Sequence, residues 1–318
     1  MKLRFLLGVV LLLAIGAGFI ALQPSGTVLG RLRGEPFFEQ RPVTYWRKQL
    51  LDPNPNVHAH TLKELAQGDG AAVPVLCGLL RDQGARDWET SQARWTAAQL
   101  LGEIGPKAET AVPGLIAALK DSDSHLRIVA IQSLGAIGPA AQDAVPALTE
   151  LLTTKDRLDA MKALAKIGPG SAPAVAQLEA LLKDKDDNIR WQAARTLGKI
   201  GSAAAAAAPA LSACLKDEEE EVREHAAEAL GEIVGDPAST VPALTQALRD
   251  PSASVRRDAV RSLGQIGPKA SGSLVAVREL LKDSSSRVRA AASWALMAIE
   301  SKEPNAGRLD SDAPKSDD

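Results

Sequence analysis

Four histidines, two cysteines and one acidic run are the groups in this 318-residue sequence whose types could do chemistry. Glu221 and His225 stand four positions apart, one helical turn, so a carboxylate and an imidazole could reach one metal ion. Two ligands do not close such a site, and the same spacing serves an ion-pair-like contact on a helix face. His58, His60 and His125 have no glutamate beside them. Cys77 and Cys214 have no CxxC partner and no histidine cluster nearby, so they read as small buried hydrophobes with free thiols. Residues 218–221 are all glutamate, a composition that favours the positive end of a helix and could also take calcium or a cationic partner. The sequence holds no phosphate-cradling glycine loop, no GxSxG and no HExxH. These residues predict no catalytic, cofactor or metal site, and a protein that is not an enzyme.

The more regular chemistry is a ladder of opposite charges. Arginines stand at 94, 127, 157, 190, 223, 256 and 289, and Asp121, Asp184, Asp217, Asp250 and Asp283 each precede the next of them by six residues. A carboxylate at that place can cap a new helix and meet a guanidinium. Repetition at every junction points to a structural ladder that fixes register, and not to a binding stripe.

Each arginine is followed seven positions later by a leucine that opens a recurring phrase: Leu101-Gly-Glu-Ile-Gly-Pro, then close copies at Leu134, Leu164, Leu197, Leu230 and Leu263, and a truncated one at Leu296. The steps between these leucines are 33, 30, 33, 33, 33 and 33 residues, a period that marks a stacked repeat array. The alanine-rich segment from arginine to leucine predicts a first helix with a small-residue face, stopped by glycine and proline. Phrases such as Val112-Pro-Gly-Leu115-Ile-Ala-Ala-Leu119 predict a second helix, with proline near its start and one apolar stripe. From His58, which takes a ladder position, to Asp283 there are seven such hairpins, with an insertion at residues 83–91 carrying Trp88. The 30-residue step predicts a shortened turn at residues 153–156. Tyr45-Trp46 and Trp294 are placed to cap the ends of the array.

Residues 5–22 are eighteen uncharged, mainly apolar positions preceded by Lys2 and Arg4, long enough to cross a bilayer as a helix. The segment lacks a good small-x-small cleavage site, so it reads as an uncleaved anchor with a cytoplasmic amino terminus and the repeats extracytoplasmic; the alternative is a secreted or periplasmic protein after cleavage. The organisation expected is a cytoplasmic start at 1–4, a transmembrane signal anchor at 5–22, a linker at 23–42, a repeat solenoid at 43–300 and a disordered tail at 301–318. The tail carries three basic and five acidic residues, which accounts for the whole formal charge of −2, so the body is neutral. A neutral body argues against nucleic acid as the partner.

The phrase Val-Arg-x-x-Ala-Ala-x-Ala-Leu-Gly-x-Ile-Gly, nearly complete from Val222 and from Ile189, resembles the short HEAT-like repeats first described in phycobilisome lyases. The opening Pro42-Val-Thr-Tyr-Trp leading into Leu-Leu-Asp-Pro is similar to membrane-anchored bacterial proteins bearing such repeats. The resemblance implies an all-α fold, a right-handed α-solenoid of HEAT-like helical hairpins with an N-terminal transmembrane helix. One catalytic family built on the same repeats, deoxyhypusine hydroxylase, draws diiron ligands from His-Glu pairs on four helices. Here the comparable dipeptide is a single Glu224-His225 in reversed order.

The function expected is a membrane-tethered scaffold that binds a protein or peptide on the concave face lined by second helices. Helical-wheel placement leaves Thr149, Glu150, Glu179, Ser212, Thr245, Gln246, Arg278 and Glu279 open on that face. The alternatives are an enzyme or enzyme accessory of the phycobilisome-lyase-like type and a nucleic-acid-binding solenoid. No cofactor is expected. The anchor reading makes a direct prediction: Leu12→Arg costs insertion about 2.5–3.5 kcal/mol. Fractionation should then move the chain from the membrane pellet to the soluble fraction, whereas a wild-type chain recovered soluble with its amino terminus beyond Leu22 identifies a cleaved signal.

Overall fold

The computed structural model describes residues 26–81 and 88–301. The apolar span at 5–22 and the tail beyond Ser301 lie outside the described residues. Among the described residues no helix is long and apolar enough to cross a membrane. Contacts divide the chain into two compact units, Met1–Ala144 and Val145–Asp318.

The first unit opens with α1 (Thr27–Leu32), two short antiparallel strands, β1 (Phe37–Phe38) and β2 (Arg41–Pro42), and α2 (Val43–Leu50). Of the segment expected to be a linker at 23–42, the described part carries α1, β1 and β2. Glu39 and Gln40 between the strands both take positive φ, 48° and 63°, the backbone of a two-residue turn whose twist matches a strand pair. That turn normally announces itself as Asn-Gly or Asp-Gly, so Glu-Gln gave no signal. The pair seats Phe38 against Trp46, ring centroids 5.4 Å apart, and Trp46 donates its indole N–H to the carbonyls of Phe38 and Arg41. Trp46 is fully buried, as its capping role requires.

Three hairpin pieces follow in this unit: α3 (Pro55–Gln67) with α4 (Val73–Leu80), α5 (Trp88–Ile104) with α6 (Val112–Ala118), and α7 (Ser124–Ile137). The later part of the expected insertion is helical, since α5 begins at Trp88. The second unit continues with α8 (Val145–Glu150), α9 (Arg157–Ile167), α10 (Val175–Leu181), α11 (Asp187–Ile200), α12 (Ala208–Cys214), α13 (Glu220–Ile233), α14 (Pro237–Ala247), α15 (Ala253–Ile266), α16 (Leu274–Glu279) and α17 (Ser286–Glu300). In each unit the first helix of a hairpin packs on the first helix of the next: α5 on α7, and α9, α11, α13, α15 and α17 in succession.

The recurring phrase does what its spacing predicts. Leu101, Leu134, Leu164, Leu197, Leu230 and Leu263 are fully buried, and so are the second-helix residues Leu76, Leu115, Leu148, Leu178, Leu211, Leu244 and Val277. Glycines 102, 198, 231 and 264 let first helices approach closely; a Cβ on Gly102 would lie 3.0 Å from the Cα of Ser133. The stopping glycines 105, 138, 168, 201 and 267 all take φ between 67° and 73°, and each leads into a 3₁₀ turn before the second helix. Two hairpins depart from this pattern: after α3 the positive φ falls on Asp69, at 49°, and the second departure follows α13. There the phrase reads Ile233-Val234-Gly235, so Val234 takes the left-handed position at φ 45°, and no 3₁₀ turn separates α13 from α14.

The arginine ladder is more elaborate than the spacing suggested. Arg94, Arg157, Arg190, Arg223 and Arg256 bond the carboxylates of Asp121, Asp184, Asp217, Asp250 and Asp283, each 27 residues later. Arg190 and Arg256 do so bidentately, with both contacts at 2.8–2.9 Å. Arg190, Arg223 and Arg256 meanwhile turn Nη1 back to the carbonyl of the aspartate six residues earlier. Each of these three guanidiniums thus clasps the turn before its helix and the turn after its hairpin. The aspartates do not cap the helices directly. They accept the backbone N–H two residues on, while Asp123, Asp186 and Ser252 act as the helix caps. At the 30-residue step Thr154 stands at the aspartate's place and accepts the N–H of Asp156, closing the shortened turn expected at 153–156. His58 takes the first rung, its Nδ1 2.6 Å from the carbonyl of Leu50.

A second ladder was not foreseen. Ser133 and Ser262, each preceding a phrase leucine, donate a hydroxyl to the carbonyls of Ala98 and Ala227 on the preceding first helix, and Thr196 at the same place lies 3.3 Å from the carbonyl of Met161 while donating to the carbonyl of Gln192 on its own helix at 2.7 Å.

Two outcomes follow for stability. Val234 is half exposed, so Val234→Gly removes strain of about 1–3 kcal/mol and little packing, against about 0.5–1 kcal/mol of added unfolded-state entropy. The variant should gain about 1 kcal/mol in urea denaturation. Asp283 is held below the usual carboxylate range by the hydrogen bond from Arg256, which outweighs its burial, and Asp217 and Asp121 are also lowered. A depressed folded value means stability that is present above the unfolded pKa and lost as pH falls through the folded one. Asp283→Asn should cost about 2 kcal/mol at neutral pH, the loss of a charged hydrogen bond, and flatten the decline in stability as pH falls through the carboxylate range.

Candidate protein-binding face on the second helices

First helices and turns consume most of the polar chemistry just described, so the second helices carry the surface that is left. In the second unit that surface holds all eight residues expected to be open, and the structure sorts them. Thr149 and Thr245 are half-buried and return their hydroxyls to Val145 and Val241 one turn back, so both are spent on their own helices. Arg278 is exposed but bound to Glu300 at 2.6 Å. Glu150 and Glu279 are exposed and Glu179 is half-buried; none of the three forms an ion pair among the described residues.

Ser212 and Gln246 are brought together. They line a cleft of about 680 Å³ between α12 and α14, with Ala213, Leu215, Lys216, Ala243, Ala247, Arg249 and Asp250. The Ser212 hydroxyl oxygen is shielded from solvent and has no hydrogen-bond partner among the described residues. In the first unit a cleft of about 230 Å³ occupies the corresponding place between α4 and α6, lined in part by Arg81, Arg94, Gly114 and Asp121.

The cations of these clefts were missed by the sequence reading. A signal was present: Arg81, Lys120, Lys183, Lys216, Arg249 and Lys282 each stand immediately before an aspartate of the junction. All six are exposed, and none has an acidic partner among the described residues.

The candidate metal ligands part company. Glu224 goes to Arg257 at 3.1 Å, and its carboxyl is raised by burial. His225 stacks on Trp191, centroids 5.1 Å apart, and places Nδ1 3.3 Å from Glu228 instead of reaching Glu221. That contact, with Lys199 at 3.6 Å, holds the Glu228 carboxyl down at about 2 against its burial. His125 meets Trp95 edge-on, and Trp95 donates to Asp123. Among the described residues no three His, Cys, Asp or Glu side chains gather as a metal site. Cys77 and Cys214 are free thiols. Burial raises both, Cys214 to about 11, so neither is poised as a thiolate nucleophile.

The HEAT-repeat family model matches residues 83–165, 154–231 and 241–307. Among solved structures, an engineered protein matches over 88% of this chain and 82% of its own, with a TM-score of 0.55 and 23% identity. Kap121p matches over 81% of this chain and 37% of its own, with a TM-score of 0.51 and 14% identity. Importin beta matches over 81% and 38%, with a TM-score of 0.50 and 15% identity. At such identities the likeness speaks for the fold alone. No curated protein sequence matches. The family match spans more than half of the chain and coincides with the hairpins, their buried leucines and their arginine rungs: the chain belongs to the HEAT-repeat family.

Proposed function

We propose that this protein is a membrane-tethered scaffold that binds another protein along the open face of its second helices. The observation that carries the reading is the α12–α14 cleft, about 680 Å³, where the Ser212 hydroxyl has no hydrogen-bond partner among the described residues and Gln246 is exposed. A folded chain normally satisfies such a hydroxyl, so one left open beside an accessible cleft suits a surface that another molecule completes. His125 and His225 pack against tryptophan rings, Glu224 pairs with Arg257, and burial raises both thiols. The importin-like fold supports the reading by analogy, as arrays of this kind present long surfaces to other proteins. The tether rests on residues 5–22 and the charges at Lys2 and Arg4, which favour an extracytoplasmic array. The repeat phrase resembles the short repeats first described in phycobilisome lyases.

Site-specific photo-crosslinking in the native cell tests this. A photoreactive residue at Gln246 should yield discrete protein adducts in the membrane fraction. The same residue at Lys166, exposed on the first helix α9, should yield none. Equal labelling from both positions, or none from Gln246, overturns the reading.

A further inference from the structure

The cleft between α12 and α14 has a sign. Neither helix carries a charged residue: α12 reads Ala-Pro-Ala-Leu-Ser-Ala-Cys and α14 Pro-Ala-Ser-Thr-Val-Pro-Ala-Leu-Thr-Gln-Ala. The charges lining the cleft are Lys216, Arg249 and Asp250. Asp250 is already bonded by Arg223 through both oxygens, at 2.8 and 3.3 Å, and Asp217 beside Lys216 is bonded by Arg190. Those carboxylates are matched, whereas Lys216 and Arg249 are exposed and have no acidic partner among the described residues. The cleft is left net positive inside a chain whose formal charge is −2. In the same unit the pattern extends to Lys183 before Asp184 and Lys282 before Asp283, whose aspartates are held by Arg157 and Arg256.

We infer that the α12–α14 cleft binds an extended acidic peptide, with Lys216 and Arg249 each receiving one carboxylate and Ser212 and Gln246 hydrogen-bonding the peptide between them. The spacing fits. Neighbouring helices pack about 8–10 Å apart, and an extended chain advances about 3.3 Å per residue, so successive cations meet about every third residue. Nucleic acid suits the row less well, because its phosphates are far denser than one per repeat. This inference rests on the protein-binding reading and adds the chemistry of the bound segment.

The test uses the full chain in mild detergent and a fluorescent peptide of about twelve residues with glutamate at every third position, compared with its lysine counterpart and with oligothymidylate of similar length. The glutamate peptide should bind, and its affinity should fall between about 50 and 300 mM salt. Lys216→Gln and Arg249→Gln should each weaken it about threefold, and together about tenfold. Both side chains lie outside the arginine ladder, so the double variant should keep its thermal transition. Unchanged affinity in the double variant, equal binding of the lysine peptide, tighter binding of oligothymidylate, or no binding of the glutamate peptide overturns the inference. If adducts at Gln246 in the cell persist in the double variant while the glutamate peptide does not bind, the scaffold reading stands and the acidic-partner inference alone falls.

Discussion

The arginine clasp is the interaction on which the rest of this fold depends. A helical hairpin of about thirty residues cannot bury its own apolar stripe and is stable only against a neighbour. Apolar contact supplies the driving force but little direction, since leucine and alanine faces can slide. The guanidinium supplies direction. Its planar fork binds a carboxylate in one geometry, and Arg190, Arg223 and Arg256 simultaneously hold carbonyls of the preceding turn. The hydroxyls of Ser133 and Ser262, bonded to carbonyls of the preceding first helix, set a second point of register.

Much of this was legible because the repeat states it many times. The leucine period, the glycine stops and the alternation of Asp with Arg each recur often enough to separate structural demand from accident, and the buried leucines and arginine pairs match them. What escaped was whatever occurs once or lacks its usual residues. The strand pair at Phe37 to Pro42 is closed by Glu-Gln in place of a glycine turn, and its order comes from Trp46, eight residues beyond Phe38. Val234 occupies a left-handed position because its glycine comes one residue late. The 27-residue reach from each arginine to its aspartate was hidden behind the shorter six-residue spacing, which marks the carbonyl contact instead.

The candidate face was legible only in part, for the same reason. A helical wheel gives direction but not consumption. Thr149 and Thr245 are half-buried and bonded to their own helices, and Arg278 is exposed but paired with Glu300. Ser212 and Gln246 share a cleft, and what distinguishes it is the company of Lys216 and Arg249. Those two stand beside aspartates whose charge is matched elsewhere, which no local pattern reveals.

The two-sided clasp also sets how the array comes apart. Coupling that runs only from each hairpin to the next makes an array behave as a one-dimensional chain of nearest neighbours. An interior rung such as Arg223 is restrained from both directions, whereas Arg289, on the last described helix, has only the carbonyls of Asp283 and Ser284 among the described residues. Amide exchange in such a chain is graded by distance from the end: α17 opens most often, and α13 opens only when a neighbour has already let go.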